Sequence, residues 1–220
     1  MGLFKRWFWR TSMGLVCWCI LVSSATGDTL QSDRHEQPRA RESSQSQTVV
    51  SQPEREHSLR ARIPDLVLLN QDGHRVKFYS DLIEGRVVVI NFFFTSCQFV
   101  CPMQGEAFSK LQSAFGNRLG KDVFLISITS DPLTDTPQRL KAWGARFGAK
   151  RGWTLLTGDE KTIHNLLELL TGSIPGRGEH TPIVLILDDA MGTWIREYGL
   201  AATERVVAEV NNNAKRSLQK

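Results

Sequence analysis

Two cysteines, Cys97 and Cys101, stand three residues apart at the end of an apolar run, and Pro102 follows the second. Paired cysteines can do two kinds of chemistry. As thiolates they chelate a soft metal ion; as a dithiol they exchange with disulfides. The gap is one residue longer than in the common dithiol oxidoreductases. The extra residue lets the sulfurs separate slightly and face one side, where they can share a metal or close a disulfide if the backbone permits. A structural role as a disulfide or a pair of buried thiols is the bland alternative.

The elements that must position this pair are legible around it. Val87 to Phe94 is apolar apart from Asn91 and rich in β-branched and aromatic residues, the pattern of a strand buried on both faces. Pro102 fits the first turn of a helix, and Phe108, Leu111 and Phe115 recur at helical spacing. The cysteines therefore fall at a strand-to-helix junction, where unpaired N–H groups and the helix dipole favour a thiolate. Upstream, Asp65 to Leu69 and Arg75 to Phe78 flank Gln71-Asp72-Gly73 and predict a hairpin. Downstream, Val123 to Thr129 is a second buried strand. Thr136 or Asp135 caps a helix to about Phe147, and Trp153 to Leu156 is a short strand. Asp159 caps a helix with Ile163, Leu166, Leu167 and Leu170 on one face. A glycine-rich loop from Gly172 to Gly178 follows. Ile183 to Leu187 is a third buried strand, Thr193 to Glu197 a returning one, and Ala202 to Ala214 a last helix. This order predicts an α/β thioredoxin-like fold, a central mostly parallel sheet flanked by helices, with an added N-terminal β-hairpin.

His180 is the third chemical candidate, in Gly178-Glu179-His180-Thr181-Pro182. In a thioredoxin-like fold this loop lies beside the cysteine helix, so an imidazole here would reach the sulfurs. His35 and His57 fall in a polar tether, His74 in the hairpin turn and His164 on a helix, and none is expected to be a ligand. A closed structural zinc site takes four protein ligands, and Cys97, Cys101 and His180 are only three. Two thiolates and an imidazole suit copper: soft sulfur prefers Cu(I), and a trigonal site of this composition can also hold Cu(II). Met103 is read as a core residue in preference to a weak axial ligand. Asp131 is either a turn cap or a group that orients a ligand.

The 220 residues carry 27 Lys and Arg against 23 Asp and Glu, a small and dispersed excess with no basic stripe, so nucleic acid is not an expected partner. Four cysteines are too few for a disulfide scaffold, and two of them, Cys17 and Cys19, lie in the N-terminal apolar segment. Residues 1–27 hold Lys5, Arg6 and Arg10, an apolar core and Ser23-Ser24-Ala25; they read as a signal peptide or N-terminal membrane anchor. Cys17 lies inside the apolar core, which argues against a lipoprotein signal. Residues 28–60 are rich in Gln, Ser, Arg and Glu and form a flexible polar linker. Residues 61–215 are the folded domain and 216–220 a tail. Export to the periplasmic side of a bacterial inner membrane, anchored or cleaved, is the expected location. The mitochondrial inner membrane is the alternative, because the segment is basic and free of acids.

The chain resembles the Sco/SenC family of copper-binding, thioredoxin-like proteins. The resemblance is carried by Phe94-Thr95-x-Cys97-x-x-Val100-Cys101-Pro102, Ser127-x-x-x-Asp131-Pro132-x-x-Asp135-Thr136-Pro137, Trp153-x-x-Leu156-Thr157-Gly158 and His180-Thr181, in that order. It implies copper held by Cys97, Cys101 and His180. It also implies a tethered or exported metallochaperone that helps build the dinuclear copper centre of cytochrome c oxidase, delivering copper or reducing the target's thiols. The implied partners are a copper-accepting oxidase subunit or other cuproprotein, a thiol reductant, and the membrane through the N-terminal segment. Family members commonly carry Pro-Asp after the first cysteine, where this chain has Gln98-Phe99. Such a protein is a binding and delivery protein rather than an enzyme. The competing reading is a thiol–disulfide oxidoreductase without a metal role, with Cys97 and Cys101 as the redox pair. A peroxiredoxin-type peroxidase is disfavoured, because Thr95 stands two residues before Cys97 where three are needed.

Overall fold

The run Val87–Phe93 forms strand β3, and six of its seven residues are buried. In this computed structural model, residues 59–172, 182–200 and 202–217 are described. The N-terminal segment and almost all of the polar linker lie outside them, as do residues 173–181, including His180. The other strands are β1 (Val67–Asn70), β2 (Arg75–Lys77), β4 (Val123–Thr129), β5 (Trp153–Thr157), β6 (Ile183–Asp188) and β7 (Thr193–Tyr198). The helices are α1 (Leu59–Arg62), α2 (Val100–Phe115), α3 (Pro137–Arg146), α4 (Glu160–Thr171) and α5 (Thr203–Ser217). One seven-stranded sheet runs β2-β1-β5-β4-β3-β6-β7. Its centre, β5-β4-β3, is parallel. Antiparallel strands widen it on both sides: β6 and β7 beyond β3, and the N-terminal hairpin beyond β5.

Both faces of the sheet are covered, which is why the central strands read as unbroken apolar runs instead of alternating ones. On one face Ile163, Leu166, Leu167 and Leu170 of α4 pack with Leu68, Phe78, Ile90 and Ile128. On the other, Phe108, Leu111 and Phe115 of α2 meet Leu140 and Trp143 of α3, Val206 and Val210 of α5, and Trp153. The buried Trp153 donates its indole N–H to Ser127 Oγ at 2.9 Å, so its single polar atom is satisfied. Gly105 allows α2 to press against α3's end: a Cβ there would stand 2.7 Å from the Phe147 ring. The N-terminal side of the domain is pinned separately. Tyr79, buried, donates its hydroxyl to Asp189 Oδ1 at 2.9 Å, and the Gly85 amide donates to Asp189 Oδ2 at 2.8 Å.

Burial first, and then the bond to Asp189, push the Tyr79 phenol up to about 12. The unfolded chain releases this proton near pH 10, while the fold retains it until about 12. The contribution to stability is therefore intact below pH 10 and lost as pH rises through that window. Tyr79→Phe is expected to cost about 1 kcal/mol at neutral pH, one buried hydrogen bond, and to flatten the alkaline limb of the stability profile. Urea midpoints at about pH 8 and about pH 11 for both proteins check this.

Candidate functional site

The strand β3 delivers the chain to the junction, and the sheet's parallel neighbour β4 delivers a second loop beside it. After β3 the backbone turns, with the Cys97 amide donating to the Phe94 carbonyl at 3.2 Å. Helix α2 then begins at Val100, so Cys101 lies in its first turn and Cys97 just before it. No side chain caps this helix at Phe99, and its first turn holds no acid. The first N–H groups of a helix need acceptors, and the Cys97 sulfur supplies one: the Cys101 amide donates to Cys97 Sγ at 3.4 Å.

The two thiols are chemically unequal. Partial burial works against the Cys97 thiolate. The Cys101 thiol and the amides of Cys101, Phe99 and Val100 together outweigh it, and hold Cys97 below the ordinary thiol value. Cys101 is 2% exposed. Burial first, then the hydrogen bond it gives Cys97, and the charges of Cys97 and Asp135, push its thiol up to about 12. Both cysteines are free. An accessible, acidic sulfur thus sits over a buried one that keeps its proton.

Of the two cap residues the sequence offers for α3, Thr136 and Asp135, only Thr136 serves. Thr136 is the cap of α3, accepting from the Arg139 amide at 3.4 Å. Asp135 instead turns inward, fully buried. Its Oδ2 accepts from the Thr95 amide at 3.0 Å and from Thr129 Oγ1 at 2.6 Å, and its Oδ1 accepts from the Thr95 hydroxyl. Arg139 Nε in turn donates to Thr95 Oγ1 at 3.2 Å. One carboxylate thereby ties the end of β4 to the residue two before Cys97. No local sequence signal marks this role, since its partner Thr95 lies 40 residues away in the chain.

Asp131 is buried, and its carbonyl accepts from the amides of Thr134 and Asp135, so it closes the turn. Met103 is not a core residue: it is 52% exposed. Two positions along a helix turn the side chain about 200°, so with Cys101 facing inward Met103 must face out. Asn91, the polar interruption of β3, is fully buried and donates its amide to Gln104 Oε1 at 3.1 Å, one turn beyond Cys101. Among the described residues no group of three His, Cys, Asp or Glu side chains is gathered as a metal site. His180 lies outside them. His74 is exposed in the hairpin turn, and His164 lies on α4, across the sheet from α2.

Fold and junction together define a thioredoxin-like domain that carries a dithiol where its central strand meets a helix. The model of the SCO1/SenC family matches residues 56–208, and the chain belongs to that family. Among curated proteins, a SCO1 homologue of Bacillus subtilis is 34% identical over 90 residues, 40% of this chain and 45% of that protein. A Stutzerimonas stutzeri protein named for copper binding is 31% identical over 108 residues, 49% of this chain and 51% of its own length. The chain thus spans about half the length of these two relatives. Among solved structures, a SCO1/SenC family lipoprotein of Bacillus anthracis superposes with a TM-score of 0.60 at 27% identity, covering 69% of this chain and 94% of that one.

Proposed function

We propose that this chain is a copper metallochaperone of cytochrome c oxidase assembly. Cys97 and Cys101 take copper, as Cu(I) or Cu(II), with His180 as the third ligand. The protein then delivers it to, or reduces the thiols of, the oxidase's dinuclear copper centre. The carrying observation is the pair of sulfurs at one helix start, one of them already drawn toward thiolate by backbone N–H groups. Soft anionic sulfur is the donor Cu(I) prefers. Membership in the SCO1/SenC family and the copper-binding name of the Stutzerimonas relative support the cargo. The pairing of Asn91 with Val184 supports the third ligand, because it sets the start of β6, three residues after His180, beside the end of β3.

In this reading residues 1–27 export or anchor the chain, 28–60 are the tether and 61–215 carry the site, on the outer side of a membrane. The lipoprotein relative supports membrane association. Among the described residues no helix is long and apolar enough to cross a membrane.

The test is titration of the reduced chain with Cu(I) against a chromogenic chelator. The wild type is expected to take one equivalent. Cys97→Ala and Cys101→Ala should lose it, and His180→Ala should bind at least about tenfold more weakly. A His180→Ala protein that binds like the wild type would remove the third ligand. The accessible and buried sulfurs also favour a second reading, a thiol–disulfide oxidoreductase with Cys97 attacking and Cys101 resolving. That reading is chosen if the wild type takes no copper while disulfide turnover survives His180→Ala.

A further inference from the structure

Resting on the dithiol site above, we propose that Phe99, Met103 and Leu133 form an apolar docking collar around Cys97, and that its occupant is a polypeptide segment presenting a cysteine from an uncharged, apolar surface. Phe99 is 85% exposed and Leu133 73%, more than any other large hydrophobic side chain among the described residues; Met103 is 52% exposed. All three belong to the two loops and the helix start that hold the dithiol. Phe99 lies between the cysteines. Met103 follows one turn later, four residues on, and shares its side of the helix start. Leu133 sits at the tip of the turn that Asp131 closes, two residues before the Asp135 carboxylate that grips Thr95. Exposed apolar side chains scattered singly need no explanation; grouped around a reactive centre they mark an interaction site.

The chemistry of the collar selects its occupant. Its centre is a partly exposed sulfur, so whatever docks gains from exchanging ligands or electrons with sulfur, and a cysteine does both. The helix start holds no acid. Among the described residues, Arg139 donates its Nε to Thr95 Oγ1 beside the collar. Phe99, Met103 and Leu133 offer no polar partner, so charge on a surface lying against them would lose its water without a hydrogen bond in return. A lipid surface would cover the collar but offer the sulfur nothing.

Two synthetic peptides test this, one with its cysteine among Leu, Phe and Ala, the other with the same cysteine among Ser and Glu. Each is loaded as a mixed disulfide with thionitrobenzoate. Cys97 thiolate attacks the peptide sulfur, one S–S bond forms as one breaks, and the coloured aryl thiolate leaves with the electron pair. The full chain should react about ten- to hundredfold faster with the apolar peptide, the factor that burial of one large apolar side chain supplies. The Phe99→Ser/Leu133→Ser double variant changes only exposed side chains. It should lose most of that preference while its rate with the small dithiobis(nitrobenzoate) disulfide stays unchanged. Equal rates for both peptides in the wild type, or a preference that survives the double variant, overturn the collar. So does a parallel loss of rate with the small disulfide. A dimer in sedimentation that the double variant dissolves would assign the collar to a second copy. Binding to phosphatidylcholine vesicles lost in the same variant would assign it to lipid, and either result overturns the proposal. No copper enters these assays. A chain that takes no Cu(I) but keeps the preference therefore refutes the cargo and not the collar, and the reverse result refutes only the collar.

Discussion

Asp135→Ala should lower the unfolding free energy by about 3 kcal/mol, because three donors lose their acceptor at once and one of them, the Thr129 hydroxyl, is fully buried. The Thr95 amide, the Thr95 hydroxyl and the Thr129 hydroxyl all end on this one carboxylate. Asp135 and Thr129 are both fully buried, so the Thr129 hydroxyl is left deepest without its acceptor. Thr129 is itself held in orientation by the Asp131 amide, which donates to its oxygen at 3.0 Å. The loss would therefore spread along the end of β4. In urea the midpoint should fall by about 1 M or more, given slopes of 1–3 kcal/mol per molar for domains of ordinary size. The neighbouring Thr136→Ala is the control. It removes a helix cap at an exposed position and should cost about 1 kcal/mol. Asp135→Asn keeps the shape and one acceptor oxygen and should recover part of the loss. If Asp135→Ala costs no more than Thr136→Ala, the carboxylate is not what ties the two loops.

That contrast also shows what a sequence can and cannot carry. Asp135 and Thr136 are adjacent, and both are good cap residues. Their roles differ because one partner, Thr95, lies 40 residues away in the chain, in the loop that follows the neighbouring strand. The strands β3, β4 and β6 were legible as buried runs, since burial on two faces removes polar positions and leaves a local signal. The caps Thr136 and Asp159 were legible too, as their partners lie three residues on. The thioredoxin-like order followed from these elements. The hydrogen bonds that fix the dithiol loop had no local pattern to announce them, and nor did Tyr79 and Asp189, 110 residues apart. Met103 shows a different failure. Its apolar character suggested the core, but the helical phase set by Cys101 puts it in solvent. Phase relative to a known buried neighbour was the better guide than residue type.

The same helical phase governs the second large effect, the reactivity of the two thiols. Alkylation needs both access and thiolate. Cys97 has both, while Cys101 is 2% exposed and its thiol is pushed up to about 12 by burial first. With limiting iodoacetamide at neutral pH, Cys97 should be modified at least about a hundredfold faster than Cys101, as read by peptide mapping. The rate at Cys97 should rise with pH and level off at lower pH than for an unperturbed thiol. Cys101→Ser should leave that profile nearly in place, because a serine hydroxyl and the same backbone N–H groups still face the sulfur. Cys97→Ser should not free Cys101. Removing Cys97 takes away its hydrogen bond and its charge, but the burial that dominates the shift remains. Asp135→Ala is the variant that should expose Cys101, by loosening the loop above it, and that links the two effects. Equal labelling of both cysteines in the wild type would mean that the sulfurs share one environment. The Cys97 sulfur would then not be serving as the acceptor for the first N–H groups of α2.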